Sequence, residues 1–386
     1  MSKTNINTQI DGYSDIQQEI AVLEKYALDR ATERGQVKRA IDWLHPKTLN
    51  LQVSEIREET DSTKTFRLVS RDRYLPPFQA GQYINLFVEV GGVRTSRPYS
   101  ISSSSTQLGY YDITVRRVDN GFVSSYLLDD VNVGDTFQST SPSGQFYYNP
   151  LFHGDDLVFI AGGSGITPFM SMIRDVVDRD LGRRIQLVYG NRTSDDIIFN
   201  KRIEKRSTRH SNLSVHTVIS APEAGYNGLT GFITAELIRE LVGDINGKMF
   251  YICGPEAMYT FVLGELEKLN IPKRRVRVEI FGPPSDVTCQ PGWPEDVSAA
   301  DSFQVKLRGQ ADIQARAGEP LMNSLERAGF VLEASCRSGE CSLCRTKLVS
   351  GKVFHPQGVK LRKSDRTYGY IHPCVAYPLA DLEISI

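Results

Sequence analysis

No stretch of this chain approaches the run of about 18 apolar residues that a membrane-spanning helix requires. The first 18 residues are too polar for a secretory leader, so the chain is expected to remain in the cytoplasm. Charge of neither sign dominates: 45 Lys and Arg stand against 46 Asp and Glu, leaving −1. That balance supplies no broad basic field for nucleic acid and no acidic tail. Internal repeats and low-complexity tracts are absent as well. Cysteine is scarce, six in 386 residues, and four of the six fall in one pattern, leaving Cys253 and Cys289. In a reducing compartment such thiols serve metals or catalysis more often than disulfides.

What is present is enough chain for two to three domains of ordinary size. With 40% apolar and 24% charged residues it has the composition of a globular protein. From residue 14 to 34, Ile16, Ile20, Leu23 and Ala27 recur at helical spacing. After Gly35 a second such stretch carries Val37, Ile41 and Leu44 until Pro46. Residues 1–48 are therefore expected to form a short helical extension whose apolar faces pack on the following domain. The alternative use of those faces is a dimer or partner surface.

The texture then changes to short β-rich segments, 51–56, 63–70, 82–90, 96–103, 111–118 and 136–139, separated by Gly, Pro and Asp. Such spacing without long helices predicts an antiparallel barrel over 49–150. It contains Arg97-Pro98-Tyr99-Ser100, in which strand alternation puts Arg97 and Tyr99 on one face and Ser100 on the other. A forked cation suits a phosphate, and an aromatic ring suits a flat conjugated partner. Arg-x-Tyr-Ser resembles the flavin-binding signature of the ferredoxin–NADP reductase family, as does Phe78-Gln79-Ala80-Gly81-Gln82-Tyr83. The resemblance implies that Ser100 lies near flavin N5 and that Val115 and Arg116 also meet the cofactor. Gly121-Phe122-Val123-Ser124-Ser125 resembles the turn that opens a short helix under the pyrophosphate of FAD, which favours FAD over FMN. Taken alone, Ser124 and Ser125 would read as a plain helix cap.

From about residue 155 apolar runs alternate with helical segments: 157–161, 185–189, 214–219, 249–253 and 276–281. That pattern predicts a parallel α/β sheet over 151–284. Directly after the first run stands Gly162-Gly163-Ser164-Gly165-Ile166-Thr167-Pro168, followed by a helical stretch at 170–178. A glycine-rich strand-to-helix turn lets backbone approach a pyrophosphate. The resemblance implies a nucleotide site made by Gly162, Gly163, Gly165, Thr167 and Pro168. It also sets Cys253-Gly254-Pro255 beside the nicotinamide, with Glu279 and Phe281 at the flavin face. Cys253 by itself would read as buried filler. Ser220-Ala221-Pro222 lacks the arginine of phosphate-selective relatives, which favours NADH over NADPH, while Arg192 and Lys201 keep the second nucleotide open.

Residues 285–300, rich in Pro and Gly, form a connector in which Cys289 and Trp293 act as anchors. The segment 301–386 predicts strands at 304–307, 313–315 and 345–348 and a helix at 320–328. Its Cys336, Cys341 and Cys344 follow C-x4-C-x2-C spacing, with Cys374 after twenty-nine intervening residues. Structural zinc prefers two close pairs, and a Rieske centre exchanges two cysteines for histidines. The spacing fits a plant-type 2Fe-2S cluster better than either, and the segment resembles a β-grasp ferredoxin throughout. Twelve Lys and Arg against nine Asp and Glu make it mildly basic, with Arg362, Lys363 and Arg366 facing either solvent or an acceptor.

Barrel, nucleotide domain and ferredoxin in this order resemble the reductase components of multicomponent systems, of the phthalate dioxygenase reductase kind. The resemblance implies an oxidoreductase that carries electrons from NAD(P)H through flavin and the cluster to an external redox protein, an oxygenase or another reductase component. Two other readings remain: an electron-transfer subunit without its own NAD(P)H oxidation, and a non-catalytic redox sensor.

Overall fold

The computed structural model describes residues 11–26, 35–72 and 74–386. These divide into two compact units, residues 1–46 and 47–386. In the first, α1 (Tyr13–Tyr26) and α2 (Gln36–Leu44) form as their periodicity predicts. Within this unit no described residue of either helix is buried, and Leu23 and Trp43 are 60% and 69% exposed. Periodicity fixes which side chains share a face, and nothing local fixes whether that face is covered. Ala27 and the rest of the stretch up to Arg34 lie outside the described residues. Among the described residues no helix is long and apolar enough to cross a membrane.

The second unit opens with six antiparallel strands, β1 (Thr48–Thr60), β2 (Thr63–Ser70), β3 (Tyr83–Val90), β4 (Val93–Ser100), β5 (Tyr111–Arg116) and β6 (Thr136–Thr140). Their order is β4-β3-β6-β1-β2-β5, and an Ile101–Ile113 bridge joins the two edges. Period-two alternation turns Leu51, Val53, Phe66, Leu68, Ile84, Leu86, Ile113 and Val115 into one interior. The helix α3 (Phe122–Asp129) closes it with Val123, Leu127 and Leu128.

A parallel sheet follows: β7 (Asp156–Gly162), β8 (Arg184–Asn191), β9 (Leu213–Ile219), β10 (Leu229–Thr230), β11 (Met249–Cys253) and β12 (Val276–Glu279). The order is β10-β9-β8-β7-β11-β12. Helices α4 (Ile166–Asp178), α5 (Asn200–Ser207), α6 (Ala235–Val242) and α7 (Glu256–Lys268) accompany these strands. Both faces are covered, so the strands read as continuous apolar runs. The order in which strands are added reverses between the parallel neighbours β7 and β11, and at such a switch point the connections after the two strands leave toward opposite faces and open a crevice.

The last portion carries β13 (Ser302–Leu307), β14 (Ile313–Arg316), α8 (Leu321–Arg327), β15 (Thr346–Ser350), β16 (Val353–Phe354), α9 (Lys363–Thr367), β17 (Tyr370–Ile371), β18 (Tyr377–Pro378) and β19 (Leu382–Ser385). Five of these strands make one sheet in the order β14-β13-β19-β15-β17 around Val305, Leu321, Leu325 and Ile384. Trp293 anchors the connector to this portion as expected: its ring meets Phe354 and Tyr377 edge-on, and its Nε1 donates to Val297 O. At the other side Glu256, at the start of α7, accepts hydrogen bonds from Ser285 and Gln290.

The cluster-loop portion is seated on the barrel through a buried polar contact. Arg337 donates to both carboxylate oxygens of Glu326, at 2.7 and 3.0 Å, and Thr95 Oγ1 of β4 donates to Glu326 Oε2 at 2.8 Å. All three residues are buried. Asn85 of β3 adds a 2.6 Å bond from Nδ2 to Ala334 O, and Ser335 meets Ser143 and the Tyr83 hydroxyl. A buried pair broken on one side leaves an uncompensated charge. Glu326→Leu is therefore expected to destabilise the protein by about 3–5 kcal/mol in denaturant titration, and the double change Glu326→Leu with Arg337→Met to recover most of that loss.

Candidate redox site

Tyr99 packs against the barrel core, while Ser100, next along β4, turns the other way and is buried with its Oγ unpartnered by protein. A buried hydroxyl without a partner costs free energy unless a ligand supplies one. Arg97 donates from Nη1 to Thr95 Oγ1 (2.8 Å) and Ser96 O (2.7 Å). Burial, and then the nearby Arg337, pull its guanidinium down to about 10, so the site favours an added anion. Pro98 between them is half-buried. These three features fit a flavin with its phosphate.

Other expected cofactor residues have different placements. Val115 and Val123 point into the barrel interior and can meet a ligand only through their backbone. Arg116 is held in an ion pair with Asp196 of the β8–α5 loop, which also accepts from Thr60 and Ser62. Gly121, not a serine, is the N-cap of α3. Ser124 Oγ accepts from Val118 N at 3.1 Å and braces the turn, so the plain-cap reading of Ser124 and Ser125 does not hold. Ser125 is half-buried in the first turn of that helix.

At the switch point the Gly162–Gly165 turn leads into α4. A Cβ on Gly165 would lie 2.1 Å from Cys253 O, and only glycine allows this meeting of β7 and β11. Thr167 Oγ1 donates to Ser164 O (2.6 Å), and Pro168 is buried in the first helical turn, where its missing N–H is harmless. Cys253 is buried in the core, and burial, with Glu279 adding to it, pushes its thiol well above the usual range. It packs as a neutral side chain beside Gly254 and Pro255, not as a nucleophile. Arg192 is exposed just past β8, where its carbonyl accepts from Ala221 N. Asn191 Oδ1 beside it is buried and unpartnered, a second polar atom fitted for a ligand.

Phe281 is 38% exposed and meets the Tyr83 ring edge-on at 6.1 Å. Glu279, at the end of β12, is pushed up to about 8, first by burial and then by Glu340 and Cys336. Tyr83 is raised by burial as well. Neither Tyr83 nor Thr95 stands out in the sequence as a site residue, although Tyr83 ends a segment singled out for its likeness to flavin domains.

The four thiols gather as two pairs. Cys344 Sγ lies 3.4 Å from Cys374 Sγ, and the sulfurs of Cys336 and Cys341 are hydrogen-bonded. Cys336 Sγ also accepts from the backbone N–H of Ser338, Glu340 and Cys341 at 3.3–3.4 Å. The Cys341 contact and these amides hold the Cys336 thiol below the usual range. Left-handed backbone at Arg337, Ser342 and Gly339 wraps the loop so that its amides converge. Two thiolates for each of two irons is the donor set of a binuclear cluster, which fits the pairing. Among the described residues no three His, Cys, Asp or Glu side chains gather as a single-ion site.

Comparison with known proteins agrees with this layout. Residues 50–148 match the oxidoreductase FAD-binding domain, 159–263 the oxidoreductase NAD-binding domain, and 305–379 the 2Fe-2S iron-sulfur cluster binding domain. The fold and its sites thus define an oxidoreductase with FAD, NAD and 2Fe-2S modules, through which electrons pass from reduced nicotinamide by way of flavin to the cluster. The chain belongs to the ferredoxin–NADP reductase superfamily, among the members with a fused C-terminal 2Fe-2S domain. The NADH oxidoreductase HCR of Escherichia coli is 30% identical over 338 residues, covering 87% of this chain and 97% of its own. The glycine betaine monooxygenase reductase subunit of Pseudomonas aeruginosa is 28% identical, covering 86% and 93%. The solved phthalate dioxygenase reductase, a modular structure for electron transfer from pyridine nucleotides to 2Fe-2S, is 26% identical. It has a TM-score of 0.64 and covers 88% of this chain and 98% of its own.

The raised Glu279 carboxyl gives a pH test. Its folded value, about 8, exceeds its ordinary 4.5, so the folded state holds the proton longer and loses stability as pH rises through that interval. Glu279→Gln is expected to flatten the fall in thermal midpoint seen in the parent protein between about pH 5 and about pH 8.

Proposed function

We propose that this protein takes electrons from NADH and delivers them singly to an external protein, a terminal oxygenase or another reductase component. The observation that carries the proposal is the packing of the cluster loop on the flavin strands: Ser335, next to Cys336, touches Tyr83 and Ser143, while Phe281 covers the Tyr83 ring. The bound cofactors supply the conversion of an electron pair into two single transfers. The chain's own residues bind, orient and shield. Arg97 holds the flavin phosphate and Tyr99 lines the ring, with the free Ser100 hydroxyl as the partner of a flavin nitrogen. Gly162, Gly163 and Gly165, with the N-terminus of α4, receive the nucleotide pyrophosphate. Cys253-Gly254-Pro255 forms the opposite wall of the crevice, and Glu279 retains a proton beside it. Ser220 and Ala221 bring no cation to the ribose edge, which favours NADH, and the exposed Arg192 is the residue that would admit NADPH. Cys336, Cys341, Cys344 and Cys374 ligate the cluster.

The acceptor reading draws on the named relatives, which are reductase subunits of oxygenase systems and an NADH oxidoreductase. Leu343, 50% exposed between two cluster cysteines, and the basic Arg345 and Lys347 offer an apolar contact with a positive border for an acidic partner face. We place the protein in the cytoplasm, where Cys253 and Cys289, neither of them in a disulfide, stay reduced. The apolar stripe of α1 and α2 suits a second copy or a partner.

Stopped-flow mixing with NADH tests the proposal: rapid flavin bleaching is expected, and a flavin that stays oxidised would overturn it. Cys341→Ser is expected to leave that bleaching intact and to abolish electron delivery to a one-electron protein acceptor. Arg97→Ala is expected to lower the flavin content of the purified protein at least about tenfold, measured by absorbance after heat release.

A further inference from the structure

The seam between barrel and nucleotide domain has two ends. At the upper end lie the Gly162–Gly165 turn, the Arg116–Asp196 ion pair and the redox site. Arg174 sits eight residues beyond the start of α4, about 12 Å along the helix axis. There the seam opens into a separate cavity of about 470 Å³ between β1, β2, the loop before β5, α4 and α5.

Its chemistry is uneven. On the barrel wall, Arg57 and Arg67 share two carboxylates, the buried Asp112 and the half-buried Glu55 at 2.9 and 2.7 Å, so both cations and both acids of that wall are paired with one another. On the helical wall, Arg174, Arg202 and Arg206 converge, with Arg174 and Arg202 flanking the Phe199 ring at 5.9 and 5.7 Å. Only Arg202 has a carboxylate within 4 Å, that of Glu59. Arg174 donates to Ser102 O at 2.6 Å and Arg206 to Arg202 O at 3.3 Å, and Arg206 Nε is buried without a partner. Burial, then Arg206 and Arg202, pull the Arg174 guanidinium down to about 10. The exposed Asp178 is the acidic side chain that offsets Arg206, from beyond ion-pair distance. Ser104, Thr106 and Gln107 place neutral hydrogen-bonding groups on the same cavity.

We infer that this cavity is a binding site for a small multivalent phosphate-type anion, of the diphosphate class, seated between Arg174, Arg206 and the Ser104–Gln107 loop. Converging guanidiniums repel one another when withdrawn from water, and an oxoanion that accepts from two of them removes the repulsion and fills the free donor on Arg206. The forked geometry of arginine matches phosphate oxygens, and the volume exceeds the need of a single phosphate. An anion held here touches both domains, so it stabilises their relative placement by binding the folded state alone. The site lies apart from the redox crevice and does not depend on the electron-transfer reading.

The test uses the whole chain loaded with FAD and cluster, with NAD⁺ saturating so that its own pyrophosphate pocket is filled. Inorganic pyrophosphate is titrated by calorimetry and, in parallel, by thermal unfolding against sodium chloride of equal ionic strength. Saturable binding and a rise in midpoint beyond the salt control are expected. Arg206→Gln, on the half-exposed side, is expected to weaken binding at least about tenfold while leaving NADH-driven flavin bleaching unchanged. Arg174→Gln should do the same. The inference is overturned by a midpoint shift no larger than that of the salt control, or by undiminished pyrophosphate binding in Arg206→Gln.

Discussion

Glu326 is the constraint on which the joined architecture depends. Its carboxylate is removed from water and has three donors, two from Arg337 and one from Thr95 of the barrel. A buried charge tolerates little displacement, because each lost donor exposes it to a low-dielectric surrounding. Apolar surfaces can slide across one another at small cost, whereas this contact has one geometry. The residue that supplies two of the donors follows directly on Cys336, and its left-handed backbone turns it back toward the barrel. The position of the first cluster ligand relative to β4 is therefore set by the same side chain that neutralises Glu326.

Around that contact the redox site carries little free charge. Glu279 holds its proton across the neutral range, Cys253 stays a thiol, and Tyr83 and Tyr99 are kept neutral by burial. Arg97 is the cation left short of a counterion there, as Arg174 and Arg206 are at the far end of the seam. The chain thus places neutral walls where rings and thiolates are to sit, and unmatched guanidiniums where phosphates are to sit. Since arginine keeps its charge in almost any surrounding, unmatched arginines are durable markers of anion positions.

Much of this was legible in the sequence because it is local. Strand alternation, the glycine turn after β7 and the spacing of the first three cluster cysteines each reside in fewer than about ten consecutive residues, the span over which backbone geometry acts. Boundaries moved by a residue or a few: β1 extends past 51–56 at both ends because pairing runs beyond the apolar core positions, whereas β4 slides from 96–103 to Val93–Ser100 and β5 ends two residues early. The contacts of Thr95 with Glu326 and of Asn85 with Ala334 join residues 231 and 249 positions apart and leave no local pattern. The same limit applies to Val115, whose motif position suggested a ligand contact while its strand parity turned it into the barrel.

The connector between the last two domains is fastened at both ends, by Glu256 on the nucleotide side and by the Trp293 ring on the other. A carrier that commuted between flavin and partner would have to release the Glu256 bonds and expose Glu326 on every cycle. The ferredoxin portion is better described as a fixed terminal than as a shuttle. On the proposed function, throughput at such a terminal would follow how often an acceptor arrives, and so the acceptor's abundance, more than any swing of this chain.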